Sequence, residues 1–355
     1  MKSVKYIVLY LILIQLLLPS FVSLADVYRD RMDYLLLKDN MRDIDPVLQQ
    51  VKKEIDRRKL DDYIIMLGDS VLWGTPGPSD ENVSAFMSRR EGAPVVFNLA
   101  VPAMQIGDMY TMLLKLDRYG ISTDRLMFNI RYASFVERDP FPQAVFWLAD
   151  DLRELDREAY DHILPQLRAA GYKPPETPYE KYVHFLHHDL LPKFSLMAYK
   201  DYLRKSLKLL MYRLAGKPIP SDALDDSRPW NEKDPAHIQA FLKDEQLIKS
   251  FSDKPFDLSD RNPDVFFLNK IFEHQRGKKT MVILTATNHA LMKADVEKPG
   301  YQANLAAIDR FFADKPVRYV NLEGVIPGDY FTDHTHLTKE GNERLAELLW
   351  RHWEE

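Results

Sequence analysis

The sequence predicts an α/β protein: a doubly wound parallel sheet, interrupted by a large helical insertion and preceded by an N-terminal signal or anchor helix. Three observations carry this. Five short apolar runs, at 63–67, 95–99, 126–130, 281–285 and 318–322, are rich in Val, Ile, Phe and Tyr and lack strong polar alternation, as buried parallel strands do. Helical patterns lie between the first three, at 82–90 and 105–119, and follow the last two, at 303–312 and 339–353; strand–helix alternation is the signature of a parallel sheet. Between about Phe141 and Pro263 the alternation stops, and the chain is helical, aromatic and punctuated by proline.

The chain has 355 residues, room for two domains or for one with a large insertion, and 46% apolar residues can bury a sizeable core. Cysteine is absent, which rules out disulfides, zinc–thiolate sites, iron–sulfur clusters and cysteine nucleophiles. A net charge of −5 argues against a general nucleic-acid binder, so no nucleic-acid partner is expected.

Taken in order, residues 1–25 read as a signal peptide or membrane anchor. Lys2 and Lys5 precede an uncharged stretch whose apolar centre is broken only by Gln15, and Ser23-Leu24-Ala25 has the small-x-small form that a signal peptidase accepts. About 20 apolar residues suffice to cross a bilayer, and the lysines place the N-terminal side in the cytoplasm. Cleaved or retained, the segment implies export, to the outer face of the cytoplasmic membrane, the periplasm or the exterior. Residues 26–60 form a helical linker, with Leu35, Leu36, Ile44, Val47, Leu48, Val51 and Ile55 at helical spacing. Residues 61–140 and 265–355 are the two halves of the sheet domain, and 141–264 the helical insertion between them. The insertion carries a basic segment, Lys193 to Lys217, interleaved with apolar residues. It reads either as a helix packed on the sheet domain with a solvated basic face or as one lying on an anionic membrane.

Chemistry concentrates at the C-terminal ends of the strands, where open sheets bind ligands. The first strand ends in Gly68-Asp69-Ser70. A serine between strand and helix is placed as a nucleophile with backbone N–H groups nearby to hold an oxyanion. Gly68 lets the backbone turn tightly, and Asp69 reads as a cap on the turn. After the last strand, Asp333-His334-Thr335-His336 leads into the final helix; His336 can act as the base and Asp333 can fix its tautomer. His334 reads as a bystander, or with its neighbours as a metal site; Asn288 and His289, after the fourth strand, read as a satisfied turn or a substrate contact. The run from His184 to Asp189 has metal-compatible spacing but reads as a solvated or capping segment. No metal and no cofactor are expected.

These residues resemble the SGNH (GDSL-type) hydrolase and acyltransferase superfamily. Gly68-Asp69-Ser70 matches its first block and Asp333-x-x-His336 its last, while Asn98 to Ala103 resembles the second, with Ala103 where a glycine is usual. The third block, G-x-N-D, is missing, and Asn129-Ile130-Arg131-Tyr132 stands at that strand end instead. The resemblance covers roughly 61–135 and 275–355. It implies a flavodoxin-like three-layer fold, ester chemistry at an O-acyl group, and an oxyanion held by the N–H groups of Ser70 and Ala103 with Asn129 or Arg131 in place of the third-block donor; of these two, the Asn129 amide is the closer imitation.

The layout is also similar to membrane-anchored members that move acyl groups on cell-surface polymers, such as the alginate acetylation proteins and the D-alanyl transfer proteins of the DltD type. That likeness implies an acylated carbohydrate or small ester as substrate, membrane attachment through the N-terminal segment, and other polymer-modification proteins as partners. In the insertion, Trp147, Tyr179, Tyr182, Tyr199, Tyr202 and Trp230 are rings suited to sugar faces, or else to the insertion's own core. The expectation is an exported serine-dependent acyl-ester hydrolase or O-acyltransferase. Its rivals are a catalytically silent surface-polymer binding protein on the same fold, and a GDSL lipase or thioesterase.

Overall fold

The computed structural model describes residues 2–355, excepting the side chains of Lys2, Ser3 and His237, so the charge of Lys2 lies outside what is described. The chain divides into two compact units, Met1–Asp61 with Lys173–Ser221, and Asp62–Tyr172 with Asp222–Glu355. The 141–264 stretch is therefore shared between them: its middle belongs with the N-terminal residues, its two ends with the sheet.

In the second unit, five strands form one parallel sheet: β1 (Tyr63–Leu67), β2 (Val95–Asn98), β3 (Arg125–Ile130), β4 (Lys279–Leu284) and β5 (Arg318–Asn321), in the order 2-1-3-4-5. Every residue of β1 is buried, as are the last five of β3 and of β4, which is why these runs show no polar alternation. The chain passes from β1 outward to β2, then back across β1 to β3 and on to β5. Right-handed crossovers then put the first connecting helix on one face and the later ones on the other. The packing agrees, because Val83–Ser88 lies against the final helix, Lys339–Glu354, whereas Ile106–Arg118 lies against Pro263–His274. The reversal of direction between β1 and β3 opens a crevice at their C-terminal ends. Leu67 pairs with Phe128 across these strands, so Gly68 and Asn129 come abreast one residue further on.

Asp108, buried near the start of helix Ile106–Arg118, fastens the segment after β3 to that helix. Its Oδ2 accepts the backbone N–H groups of Gln105 and Phe146, both at 2.9 Å, and its Oδ1 those of Trp147 and Leu148, both at 2.8 Å. Trp147 in turn donates from its indole nitrogen to the Pro102 carbonyl at 2.8 Å, so this one carboxylate steadies the loop after β2 as well.

In the first unit, Lys2–Phe21 is one helix, long and apolar enough to cross a membrane, and its side chains are largely exposed. Residues 26–60 are not the single helix that the spacing predicts. Asp30 takes a left-handed φ of 56° between two short antiparallel strands, Tyr28–Arg29 and Arg31–Met32. Asp33 and Asn40 then accept the N–H groups of Leu35 and Arg42, restarting the chain as short turns. Such residues favour local caps over helix interiors. Only Ile44–Arg58 is long, and it buries Ile44, Val47, Leu48 and Val51 while Leu35 is exposed. The basic segment packs within this unit: Tyr199 receives a 2.9 Å hydrogen bond from Gln50, and Tyr202, on helix Lys200–Leu214, donates to the Asp43 carbonyl at 2.7 Å.

A carboxylate supplies acceptors to all four N–H groups at Asp108, whereas an amide turns one oxygen into a donor. Asp108→Asn should therefore leave two buried N–H groups unpaired and destabilise the protein by about 2–4 kcal/mol. Denaturant unfolding of the two proteins measures this directly.

Candidate active site

β1 delivers Gly68-Asp69-Ser70 to the crevice. Asp69 is extended, and its Oδ1 accepts the Val71 N–H at 2.9 Å, capping the turn Ser70–Trp73. From the end of β3, Asn129 clasps the same residue at both ends of its amide: Oδ1 accepts the Asp69 N–H and Nδ2 donates to Asp69 Oδ1, each at 3.0 Å. Arg131 Nε lies 2.6 Å from Asp69 Oδ2 but is not aligned as a hydrogen-bond donor, so the contact is an ion pair. Gly68 is required by close approach rather than by an unusual turn. A Cβ there would fall on Asn129 Oδ1, and Gly68 is not among the residues with positive φ.

His336 Nε2 is 2.8 Å from Ser70 Oγ, and its Nδ1 is 2.7 Å from Asp333 Oδ2. Asp333 Oδ1 accepts the N–H groups of Thr335 and His336, both at 2.8 Å, so imidazole and carboxylate are carried on one tight loop. That loop is closed by the Thr332 N–H donating to the His336 carbonyl at 2.8 Å and by the Phe331–Leu337 bridge. Burial pushes the Asp333 carboxyl up, but the His336 charge and hydrogen bond, with His334 and the Thr335 N–H, hold it well below the usual carboxylate range. Burial works against the His336 imidazolium, yet Asp333 raises its pKa above the ordinary 6.5. An ionised Asp333 accepts only, so the Nδ1 proton faces it and the Nε2 lone pair faces the serine hydroxyl.

The other expected residues occupy different positions. Asn129 spends its amide oxygen and one Nδ2 hydrogen on Asp69, and its side chain is fully buried. Arg131 is about one-third exposed, and among the described residues its Nη atoms donate to no protein group. The N–H groups of Ser70 and Ala103 likewise donate to no protein acceptor among the described residues. Ala103 sits at φ 65°, the left-handed region, which explains why glycine suits this position. Gln105 donates to its carbonyl at 2.7 Å, and buried Arg138, paired with Asp264, donates to Gln105 Oε1 at 2.9 Å.

Asn288 is fully buried and is not a substrate contact: its N–H donates to the His334 carbonyl at 2.9 Å and its Nδ2 to the Asp333 carbonyl at 3.0 Å, pinning the triad loop. His289 is partly exposed, with Nε2 2.9 Å from Glu323 Oε1; that hydrogen bond raises its pKa, burial opposing. Glu323, just past β5, also accepts from the Tyr301 hydroxyl at 2.6 Å and from the Thr287 N–H at 3.1 Å. This cluster was not anticipated, although Glu323 follows a strand as the recognised residues do. His334 stands with a buried, unbonded Nδ1 against Phe241 and Phe251, and burial brings its pKa down to about 4, so it is neutral near pH 7.

Of the six rings considered for sugar binding, four serve the fold. Tyr199 and Tyr202 are buried in the first unit, and the indole nitrogens of Trp147 and Trp230 donate to the backbone carbonyls of Pro102 and Gly328. Tyr179 and Tyr182 are exposed.

No family model matches the chain, and no characterised protein matches it in sequence.

Two substitutions read the backbone directly. Ala103→Gly relieves a left-handed alanine and should stabilise by about 1 kcal/mol, raising Tm by about 2 °C. Gly68→Ala drives a methyl into the Asn129 amide and should cost about 3 kcal/mol. Thermal unfolding of both variants checks the opposite signs.

Proposed function

We propose that the protein is an exported serine acyl-ester enzyme of SGNH type that transfers an acyl group to, or removes one from, a hydroxyl of a cell-surface carbohydrate. The observation that carries this reading is the unbroken chain Ser70 Oγ, His336 Nε2, His336 Nδ1, Asp333 Oδ2, with successive distances of 2.8 and 2.7 Å across its two hydrogen bonds. The 2-1-3-4-5 strand order, the serine directly after β1 and the His–Asp loop before the last helix support the SGNH assignment. Export is supported by the apolar helix with Lys5 near its start.

In this mechanism Ser70 Oγ attacks the acyl carbonyl carbon while its proton passes to His336 Nε2. Asp333 stabilises the imidazolium that forms. The N–H groups of Ser70 and Ala103 receive the oxyanion, with an Arg131 Nη group as the third donor in place of an amide. Collapse breaks the ester C–O bond, and His336 returns the proton to the leaving alcohol. An acceptor hydroxyl or water then repeats the steps on the acyl-enzyme, with His336 again taking the proton. Asn129 acts through Asp69 as a positioning residue, and Asn288 through the triad loop.

The second reading, a silent polymer-binding protein, draws on one observation: at the third-block strand end the Asn129 amide is buried and bonded to Asp69 through its oxygen and one of its hydrogens. Fluorophosphonate labelling separates the two. Stoichiometric modification at Ser70 supports the enzyme, and an unmodified Ser70 in folded protein supports the binder.

Ser70→Ala should lower kcat by on the order of 10⁶ with the fold retained. Arg131→Ala should lower kcat by about 10² to 10³, the usual cost of one oxyanion donor; near-wild-type turnover would remove Arg131 from the mechanism. His336→Ala should be as severe as Ser70→Ala, and His334→Ala mild. The base must be neutral to accept the serine proton. Activity should therefore rise with pH through an inflection above 6.5 and be lost below it as His336 is protonated. Short-chain and long-chain aryl esters, offered with and without an oligosaccharide, test the substrate class. Short-chain preference with sugar-stimulated release is expected, and a long-chain preference indifferent to sugar would favour a lipase or thioesterase.

A further inference from the structure

Between Tyr6 and Pro19, in the interior of the apolar span, Gln15 is the one strongly polar side chain, and it is not left alone. Its Nε2 donates to the Lys193 carbonyl and its Oε1 accepts the Ser195 N–H, both at 2.7 Å, while Ser195 Oγ donates to the Gln15 carbonyl at 2.8 Å. Three hydrogen bonds thus latch the 193–195 backbone to one level of the helix. Gln15 lies six residues before Phe21, about 9 Å along the axis at 1.5 Å per residue. In a hydrocarbon layer about 30 Å thick, that level is inside the far leaflet, not at its surface. Polar groups at that depth must find partners within the protein, and the latch satisfies Gln15, the Lys193 carbonyl and the Ser195 N–H together.

The apolar side chains around the latch match that depth, and exposed Lys193 has the long stem that lets an ammonium group reach the interface. Leu190, Phe194, Leu196 and Met197 are all exposed, Phe194 by half. The helix that follows, Lys200–Leu214, buries Tyr202 on one side and exposes Leu207, Leu210, Met211 and Leu214 on another. These four fall at i, i+3, i+4 and i+7, a single apolar stripe. Lys200, Arg204 and Lys208 follow one another at four-residue spacing along one edge of it, and Asp201 is the only acid on the helix.

We propose that residues 190–214 form a second membrane element: the 190–197 segment enters the outer leaflet beside the anchor at Gln15, and Lys200–Leu214 lies in the headgroup layer of an anionic phospholipid surface. Leu207, Leu210, Met211 and Leu214 face the acyl chains, and Lys200, Arg204 and Lys208 face lipid phosphates. The inference rests on the reading of Val4–Phe21 as an anchor, and extends it from a single helix to a two-part attachment. Lipid is the occupant that fits, because the apolar surface is continuous with a bilayer-length helix and its charged edge is basic on balance, with three cations against Asp201, which lies 3.8 Å from both Lys200 and Arg204.

The cysteine-free chain makes a clean test. Full-length protein carrying single nitroxide-labelled cysteines at Leu11→Cys, Leu196→Cys, Leu210→Cys and Asp56→Cys is placed in nanodiscs of phosphatidylcholine with a minority of phosphatidylglycerol. Accessibility to oxygen against a water-soluble nickel complex then reports immersion. The expected ratios are several-fold higher at Leu11, Leu196 and Leu210 than at Asp56, with Gln15→Leu moving the Leu196 label toward water and leaving the Leu11 label in place. A lipid-immersed Leu11 label with Leu196 and Leu210 labels in water would overturn the proposal and leave the anchor standing. A Leu11 label in water would overturn the anchor reading and the proposal with it. Equal immersion of the Leu210 label in nanodiscs lacking phosphatidylglycerol would overturn the role given to the basic edge.

Discussion

The carboxylate of Asp69 is the constraint on which the candidate site depends. One oxygen caps the turn that presents Ser70 and holds the Asn129 amide, and the other faces Arg131. Without it, the first helical turn after β1 would lose its cap, and two side chains at the end of β3 would lose their partner. A cap is worth about 1 kcal/mol in itself. Here it also decides where the serine oxygen lies relative to an imidazole 266 residues away in sequence. The pairing of Leu67 with Phe128 sets this up, because the parallel register brings Gly68 and Asn129 abreast.

The other half of the site is built on the opposite plan. Asp333 and His336 need nothing distant to find each other, since a four-residue loop with two backbone N–H groups on the carboxylate orients both. What comes from afar is the loop's placement, through Asn288 after β4 and through Trp230, whose N–H donates to the Phe331 carbonyl at 2.9 Å. The Ser70 turn and the 333–336 loop are each held locally, and the Ser70–His336 hydrogen bond spans the gap between them.

The sheet was legible in the sequence because its three central strands, β1, β3 and β4, are buried on both faces and read as continuous apolar runs bounded by helices. Asp333 and His336 could be picked out because they are neighbours in sequence and partners in space, and Ser70 because it directly follows a legible strand. Residues whose partners are distant were legible only in part. Asn129 offered the right chemical group, but nothing in the sequence says that it bonds to Asp69. Of the two readings of Asn288, the satisfied turn agrees with its buried position, and the sequence does not show that it braces the 333–336 loop. The linker at 26–60 has helical spacing throughout, yet Asp30, Asp33 and Asn40 make local hydrogen bonds or take backbone angles that the apolar spacing does not register. Glu323 was passed over because its three partners, Thr287, His289 and Tyr301, come from other segments of the chain.

The fit of Asn129 against Gly68 has an evolutionary consequence. The two positions behave as one heritable character, since a side chain at 68 cannot coexist with the Asn129 amide where it holds Asp69. A lineage leaving this arrangement must first shorten position 129, giving up the amide that holds Asp69, and only then admit a larger residue at 68. The reverse order passes through a chain that packs poorly. Among homologous chains, exchanges at 68 should therefore occur only on backgrounds already changed at 129. That one-way order would date the loss of the clasp relative to any drift in the serine's chemistry.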